Sequence, residues 1–181
     1  MRRALAVAAA IDGLNRRAAW LARWSVLLML GLGAWNVVGR YAGLALGRNL
    51  SSNALIEAQW YLFSVVFLLG MGWTLERNGH VRVDVLQGGW PPRRRARLEL
   101  WGSLLLLLPF SLLMLGLSLG PALSSWRMAE ASPDPEGLPR YLVKALIPLG
   151  FLLLSLQGAA EAIKAWAACR GENAGPPGRA G

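Results

Sequence analysis

Charged residues are absent from four long stretches of the chain. These uncharged runs cover residues 24–39, 58–75, 100–126 and 145–160, and an Arg, Lys or Glu residue bounds each of them. An apolar helix needs about 20 residues to cross the hydrocarbon core of a bilayer, and flanking arginines can carry a shorter run to the interface. The pattern predicts an all-α membrane protein. Its four-helix membrane domain covers residues 21–167, with spans at about 21–42, 54–77, 97–120 and 141–166.

The N-terminal residues 1–20 have a helical periodicity of their own. Apolar residues recur at spacings of three and four, which places them on one helical face. This face contains Ala4, Val7, Ile11, Leu14, Ala18 and Leu21. The opposite face contains Arg2, Asp12, Arg16 and Arg23. We predict an amphipathic helix that lies in the membrane interface. A cleaved signal peptide is the alternative, although charged residues interrupt its apolar region early.

Lys and Arg residues are distributed asymmetrically among the segments outside the runs. Five precede the first run, six lie between the second and third, and three follow the fourth, whereas the other two loops hold two and three. The positive-inside rule therefore predicts that both termini are cytoplasmic. The last segment, 168–181, is rich in Gly and Pro and is predicted to be a disordered cytoplasmic tail.

The net charge of +9 would suit a nucleic-acid-binding protein if the chain were soluble. The composition is instead 55% hydrophobic and 16% charged, and the basic clusters fall at predicted cytoplasmic boundaries of the membrane. We therefore predict membrane lipids, and no nucleic acid, as partners of these clusters. The predicted lipid-headgroup contacts are Arg16, Arg17, Arg93, Arg94 and Arg95.

The residue types that carry catalysis are scarce. Cys169 is the only cysteine and His80 the only histidine, which excludes a dithiol centre and bis-histidine haem ligation within the chain and argues against a zinc site. No charged residue or histidine lies in the middle of a span, where a transporter core or pump usually has one. We predict no catalytic residue, no metal site and no cofactor, and hence a protein that is not an enzyme.

Polar signals concentrate at two membrane boundaries. Arg40 ends the first span and Glu57 begins the second at the outer face. We predict an ion pair between them, with independent contact of each with water as the alternative. At the inner face, Asn78-Gly79 is predicted to end the second helix, because both residues tolerate positive φ. His80, Arg82 and Asp84 then alternate with valines.

These boundary residues closely resemble one family, the small membrane subunit of tripartite ATP-independent periplasmic (TRAP) transporters, or DctQ-like family. The resemblance lies in residues 36–41, 57–63, 69–70 and 80–86. The chain departs from it at Gln87, where the family often has Tyr. The matching residues, for which the resemblance implies structural or subunit-interface roles, are Arg40, Glu57, Trp60, Gly70, His80, Arg82 and Asp84.

The resemblance implies a scaffold subunit in the bacterial inner membrane. A large multi-span permease subunit would carry the substrate and sodium sites, and a periplasmic substrate-binding protein would deliver organic acids to it. Two alternatives remain open on sequence alone. One is a four-helix proton-coupled exporter, for which Glu57 is the only candidate proton carrier. The other is the membrane anchor of a quinone-linked enzyme.

Overall fold

The computed structural model describes residues 1–48, 50–79 and 90–171 of the 181-residue chain. These parts contain five α-helices, α1 Arg2–Leu46, α2 Asn53–Glu76, α3 Pro92–Gly102, α4 Leu108–Arg127 and α5 Arg140–Cys169. A π-helical turn, Ser103–Leu107, joins α3 to α4 in one continuous helix. Four helices are therefore long and apolar enough to cross a membrane. The predicted all-α membrane fold with four spanning helices is confirmed.

Helix α1 is one continuous element of 45 residues. At 1.5 Å per residue it is about 67 Å long, roughly twice the thickness of a bilayer core. The predicted N-terminal helix over residues 1–20 is therefore not a separate element, because no break divides it from the first span. Ala-rich sequence and the absence of Pro or an interior cap favour this continuity.

The helix ends follow the local sequence. Ser52 is the N-cap of α2, and its hydroxyl accepts a hydrogen bond from the Leu55 N–H at 3.4 Å. It ends in a Schellman motif in which the Gly79 N–H donates to the Thr74 carbonyl at 2.8 Å. Asn78 has a φ of 53°, so the prediction that Asn78-Gly79 ends this helix is confirmed.

The π-helical turn has a local cause in Pro109. A proline has no N–H to donate and its ring clashes with the carbonyl four residues earlier. The wider turn shifts the hydrogen bond so that the Leu108 N–H donates to the Ser103 carbonyl. The helix therefore continues through the proline without ending.

Helix α5 is the centre of the bundle, since it contacts α1, α2, α3 and α4. Small residues permit this close packing. Lipid tails are as apolar as the helix side chains, so helices in a membrane associate through close contact rather than through the hydrophobic effect. A Cβ on Gly150 would lie 2.9 Å from the Cβ of Leu68 in α2, and one on Gly158 would lie 3.1 Å from Leu107. A small apolar core of Ala18, Leu69 and Leu153 joins α1, α2 and α5.

Large apolar side chains mostly point away from the bundle. In the N-terminal part of α1, the large residues of the predicted apolar face are exposed, with Val7 at 54% and Leu14 at 45%, whereas Ala18 of that face is buried together with Ala8 and Asn15. The packing face of the helix thus lies beside the bulky apolar residues. Close packing in a membrane selects small and polar residues, so bulky apolar residues are left to face lipid or another chain.

Candidate functional site: polar clusters at the two ends of the bundle

One polar cluster joins the start of α2 to the connection between α4 and α5. The Glu57 side chain is only 2% exposed, and its carboxylate accepts hydrogen bonds from the Ser132 hydroxyl and the Leu138 N–H. One turn further along α2, the Tyr61 hydroxyl donates to the Leu138 carbonyl at 3.2 Å. Asn53, one turn earlier, donates to the Pro135 carbonyl at 3.2 Å. One face of α2 therefore holds residues 132–138, which we call the outer loop after the side of the membrane that the sequence predicts for it.

Two further contacts fix the ends of the outer loop. A Cβ on Gly137 would lie 2.9 Å from the Glu57 carboxylate, so only glycine fits there without a shift. Just before the loop, Glu130 forms an ion pair with Lys144 of α5. The hydrogen bond from Lys144 holds the pKa of the Glu130 carboxyl below its ordinary value. The connection between α4 and α5 is thus tied to both α2 and α5.

Arg40 does not take part in this cluster. Its side chain is exposed, and within the described ranges no ion pair joins it to Glu57. The hydrogen-bonding oxygens of Glu57 already accept from Ser132 and Leu138, and Arg140 is the cation within electrostatic range. The predicted Arg40–Glu57 pair is therefore not formed, because neutral donors from a distant segment occupy the carboxylate. Arg40 borders a shallow recess of about 200 Å³ with Ser52 and Glu136.

A second polar cluster joins α1 to α5 at the opposite end. The fully buried Gln157 amide donates to Asp12 at 2.8 Å and to Glu161 at 3.0 Å, and it accepts from Asn15 at 2.8 Å. The Lys164 ammonium lies 2.8 Å from both the Asp12 and the Glu161 carboxylates. We call these five residues the inner cluster, again after the predicted orientation. Its hydrogen bonds satisfy the Gln157 amide and the two carboxylates, which would be costly to bury alone, whereas the Asn15 Oδ1 has no donor in the described parts of the chain.

Helix α2 meets α1 beside the inner cluster. Gly72 faces the side chain of Asn15 so closely that a Cβ there would lie 2.7 Å from the Asn15 Cγ. Next to this contact, Arg16 forms an ion pair of 2.7 Å with Glu76. Asp12 and Arg16, predicted to face the interface, thus bind other helices. The spacing of Gln157, Glu161 and Lys164 along one face of α5 was a signal for the cluster, but sequence alone did not reveal the partners on α1.

The other predicted site residues lie apart from these clusters. Trp60 is 41% exposed and packs edge-on against Tyr61, and Gly70 has open space around its Cα. Arg94 stacks on Trp90 at 4.2 Å, and Arg17, Arg93 and Arg95 are exposed, so their predicted contacts with lipid stay predictions. His80, Arg82 and Asp84 lie outside the described residues.

A lateral groove between α1 and α2 is lined by apolar residues and one amide. Its volume is about 420 Å³. The Gln59 side chain lies in it, and its Oε1 would be 3.0 Å from a Cβ on Gly33. The Gln59 Nε2 donates to the Leu55 carbonyl, whereas the Oε1 accepts no hydrogen bond from the parts of the chain that the structure describes. Trp60 and Phe63 line the same groove.

The clusters hold helices together on opposite sides of the bundle's middle, so the geometry is that of a multi-pass membrane protein with structural polar contacts. In residues 1–48, 50–79 and 90–171, no three metal-ligating side chains come together. The family model for the DctQ component of tripartite ATP-independent periplasmic transporters matches residues 29–168. The chain belongs to this family and is a transporter component. No curated protein and no solved structure matches the chain.

Proposed function

We propose that the chain is the scaffold subunit of a TRAP secondary transporter in the bacterial inner membrane. It supports sodium-coupled uptake of organic acids by a large permease subunit, to which a periplasmic binding protein delivers the substrate. The family match over residues 29–168 carries this proposal. It also explains why the chain needs no substrate site of its own.

The distribution of charge supports a scaffold rather than a transporter that acts alone. Residues 24–39, 58–75, 100–126 and 145–160 contain no charged side chain, whereas transport sites for ions and acids usually place ionisable groups or broken helices at mid-membrane. Glu57, the residue that a proton-coupled exporter would need, is engaged by Ser132 and Leu138. A carboxylate held in this way supports the fold of the outer loop.

We further propose that the large subunit contacts the groove between α1 and α2. The unpaired Gln59 Oε1 would face hydrocarbon there unless a neighbouring protein supplied a donor, which favours a protein occupant. The Gln59 Oε1 lies over Gly33, 3.0 Å from the position of a Cβ there, so a larger side chain at residue 33 would displace this acceptor. Trp60, a residue of the family pattern, lines the groove and belongs to the same contact.

Affinity purification in mild detergent tests both parts of the proposal. The tagged chain, expressed with the permease encoded beside it, should retain a large hydrophobic subunit. Gly33→Leu, which fills the groove, should reduce its recovery at least tenfold, corresponding to about 1.4 kcal/mol. Gly116→Leu is the matched control, because Gly116 of α4 has open space around it. Loss with Gly116→Leu alone would move the contact to α4, and no large subunit with the unmodified chain would contradict the scaffold function.

A further inference from the structure

All four cation–π contacts in the described parts of the chain lie at one end of the bundle, the end of the inner cluster. Two of them share a single ring, since the guanidinium groups of Arg23 and Arg77 each lie 5.8 Å from the centre of the Trp73 ring. The other two are Arg94 on Trp90 and Arg170 on Trp166. An arginine of α1 and the arginine that directly follows α2 thus converge on one aromatic side chain.

Arg23 starts from a deeper level of the bundle than its aromatic partner. Helices α1 and α2 are antiparallel, and Arg16 pairs with Glu76 at their shared end. Arg23 lies two turns further along α1, about 10 Å further into the bundle, whereas Trp73 lies less than one turn inward from Glu76. The Arg23 side chain therefore turns back toward the boundary to reach Trp73.

Neither Arg23 nor Arg77 has an anionic partner among the residues that the structure describes. The neighbouring carboxylate, Glu76, has its Oε1 bound to Arg16 at 2.7 Å. An arginine stacked on a ring keeps the N–H groups at its edge free to donate. A phosphate group accepts such donors in pairs and supplies the missing negative charge.

We propose that Arg23, Trp73 and Arg77 bind the phosphate headgroup of an anionic phospholipid. The two guanidinium groups donate to the phosphate oxygens, and the Trp73 ring holds both in position. The acyl chains lie against exposed apolar residues of α1, of which Leu27 and Leu30 continue from Arg23 toward the bilayer centre. This site does not depend on which subunits the chain assembles with.

The site can be tested on the full chain in nanodiscs of phosphatidylcholine with a defined fraction of phosphatidylglycerol, by native mass spectrometry of the lipid that stays bound. The unmodified chain should retain phosphatidylglycerol in preference to phosphatidylcholine. Arg23→Gln and Arg77→Gln should each lower that retention about fivefold, as expected for about 1 kcal/mol per basic residue at an anionic surface. Arg97→Gln removes the same charge from an exposed position of α3 at the same end of the bundle and should have little effect.

Two further measurements distinguish a specific phosphate-binding site from general electrostatic attraction of lipid to basic residues. Arg77→Lys keeps the charge but loses the planar stacked donor, so we expect it to lose at least half as much lipid as Arg77→Gln. Millimolar inorganic phosphate should not displace the lipid. Equal losses in Arg97→Gln and Arg23→Gln, full retention in Arg77→Lys, displacement by free phosphate, or no lipid preference in the unmodified chain would each overturn the proposal. Unchanged thermal midpoints of the variants confirm that they are folded.

Discussion

The carboxylate of Glu57 accepts the backbone N–H of Leu138, a residue 81 positions further along the chain. This contact ties the start of α2 to the segment that leads into α5. Because Glu57 is almost completely buried, its hydrogen-bonding oxygens are committed to the outer loop. The shape of this end of the bundle therefore depends on one side chain of α2.

Replacing Glu57 should destabilise the fold far more than replacing Arg40. In Glu57→Gln the amide NH₂ group faces either the Ser132 hydroxyl or the Leu138 N–H, and it cannot accept a hydrogen bond from that donor. We therefore expect the substitution to lower the free energy of unfolding by about 1.5–3 kcal/mol. Arg40→Gln removes an exposed charge and should cost less than about 0.5 kcal/mol. Unfolding of the purified chain in mixed detergent and SDS micelles measures both values.

The double variant decides whether the two residues interact. Since Arg40 and Glu57 share no partner in the described residues, their effects should add to within about 0.5 kcal/mol. A larger coupling energy would restore the ion pair that the sequence suggested and would contradict the arrangement around Glu57.

Two glycines of α2 form a matched pair for testing the contact with α1. Gly72→Ala places a methyl group against the Asn15 side chain, and overpacking of this kind should cost about 1–3 kcal/mol. Gly70→Ala adds the same group where nothing lies within 4 Å. It should leave stability unchanged or raise it by up to about 1 kcal/mol, because Ala favours helix. Equal effects of the two substitutions on unfolding in detergent would contradict the close approach of α1 and α2.

The stability of the bundle should depend on pH through Glu130. The hydrogen bond from Lys144 holds the pKa of Glu130 below its ordinary value of 4.5, so the folded state is favoured in full above that value. This contribution is lost as the pH falls through the lowered pKa. Lys144→Met should therefore lower the thermal midpoint at pH 7, and the difference from the unmodified chain should shrink below about pH 4. Arg48→Met is the control, since Arg48 has no described ion pair. If the difference in thermal midpoint between Lys144→Met and the unmodified chain stays constant with pH, the Glu130–Lys144 ion pair is not the cause of that difference.

The orientation of the bundle is a separate prediction from the distribution of Lys and Arg. A phosphatase that is active only in the periplasm should give activity when fused after Ser51 or Pro133. It should give none when fused after Gln87 or at Gly181. Activity of the fusion at Gly181 would rule out a cytoplasmic C terminus.

Local signals in the sequence predicted the helices and some of their ends. The uncharged runs correspond to the four spanning helices, and Asn78 ends α2 as its tolerance of positive φ suggested. The π-helical turn before Pro109 was not predicted. A proline can end a helix, kink it or be accommodated by a wider turn, and the sequence around Pro109 does not show which of these occurs. Hydrophobic patterns and helix caps involve residues that are close together in the chain, so a single sequence shows them directly.

The polar clusters could not be predicted, because their partners are far apart in the chain. Asp12 and Lys164 are 152 positions apart, and no spacing rule connects them. The face of α1 that packs on the bundle was not predicted either. Ala8 and Asn15 are buried there, since contacts between membrane helices favour small and hydrogen-bonding residues.

The central claim, that this chain supports transport without performing it, is tested most directly by reconstitution. The purified chain, the large subunit and their complex are placed separately in liposomes with an inward sodium gradient, and uptake of a labelled organic acid is measured with the periplasmic protein present. We expect uptake by the complex and none by this chain alone. Sodium-driven uptake by this chain without the large subunit would contradict the account.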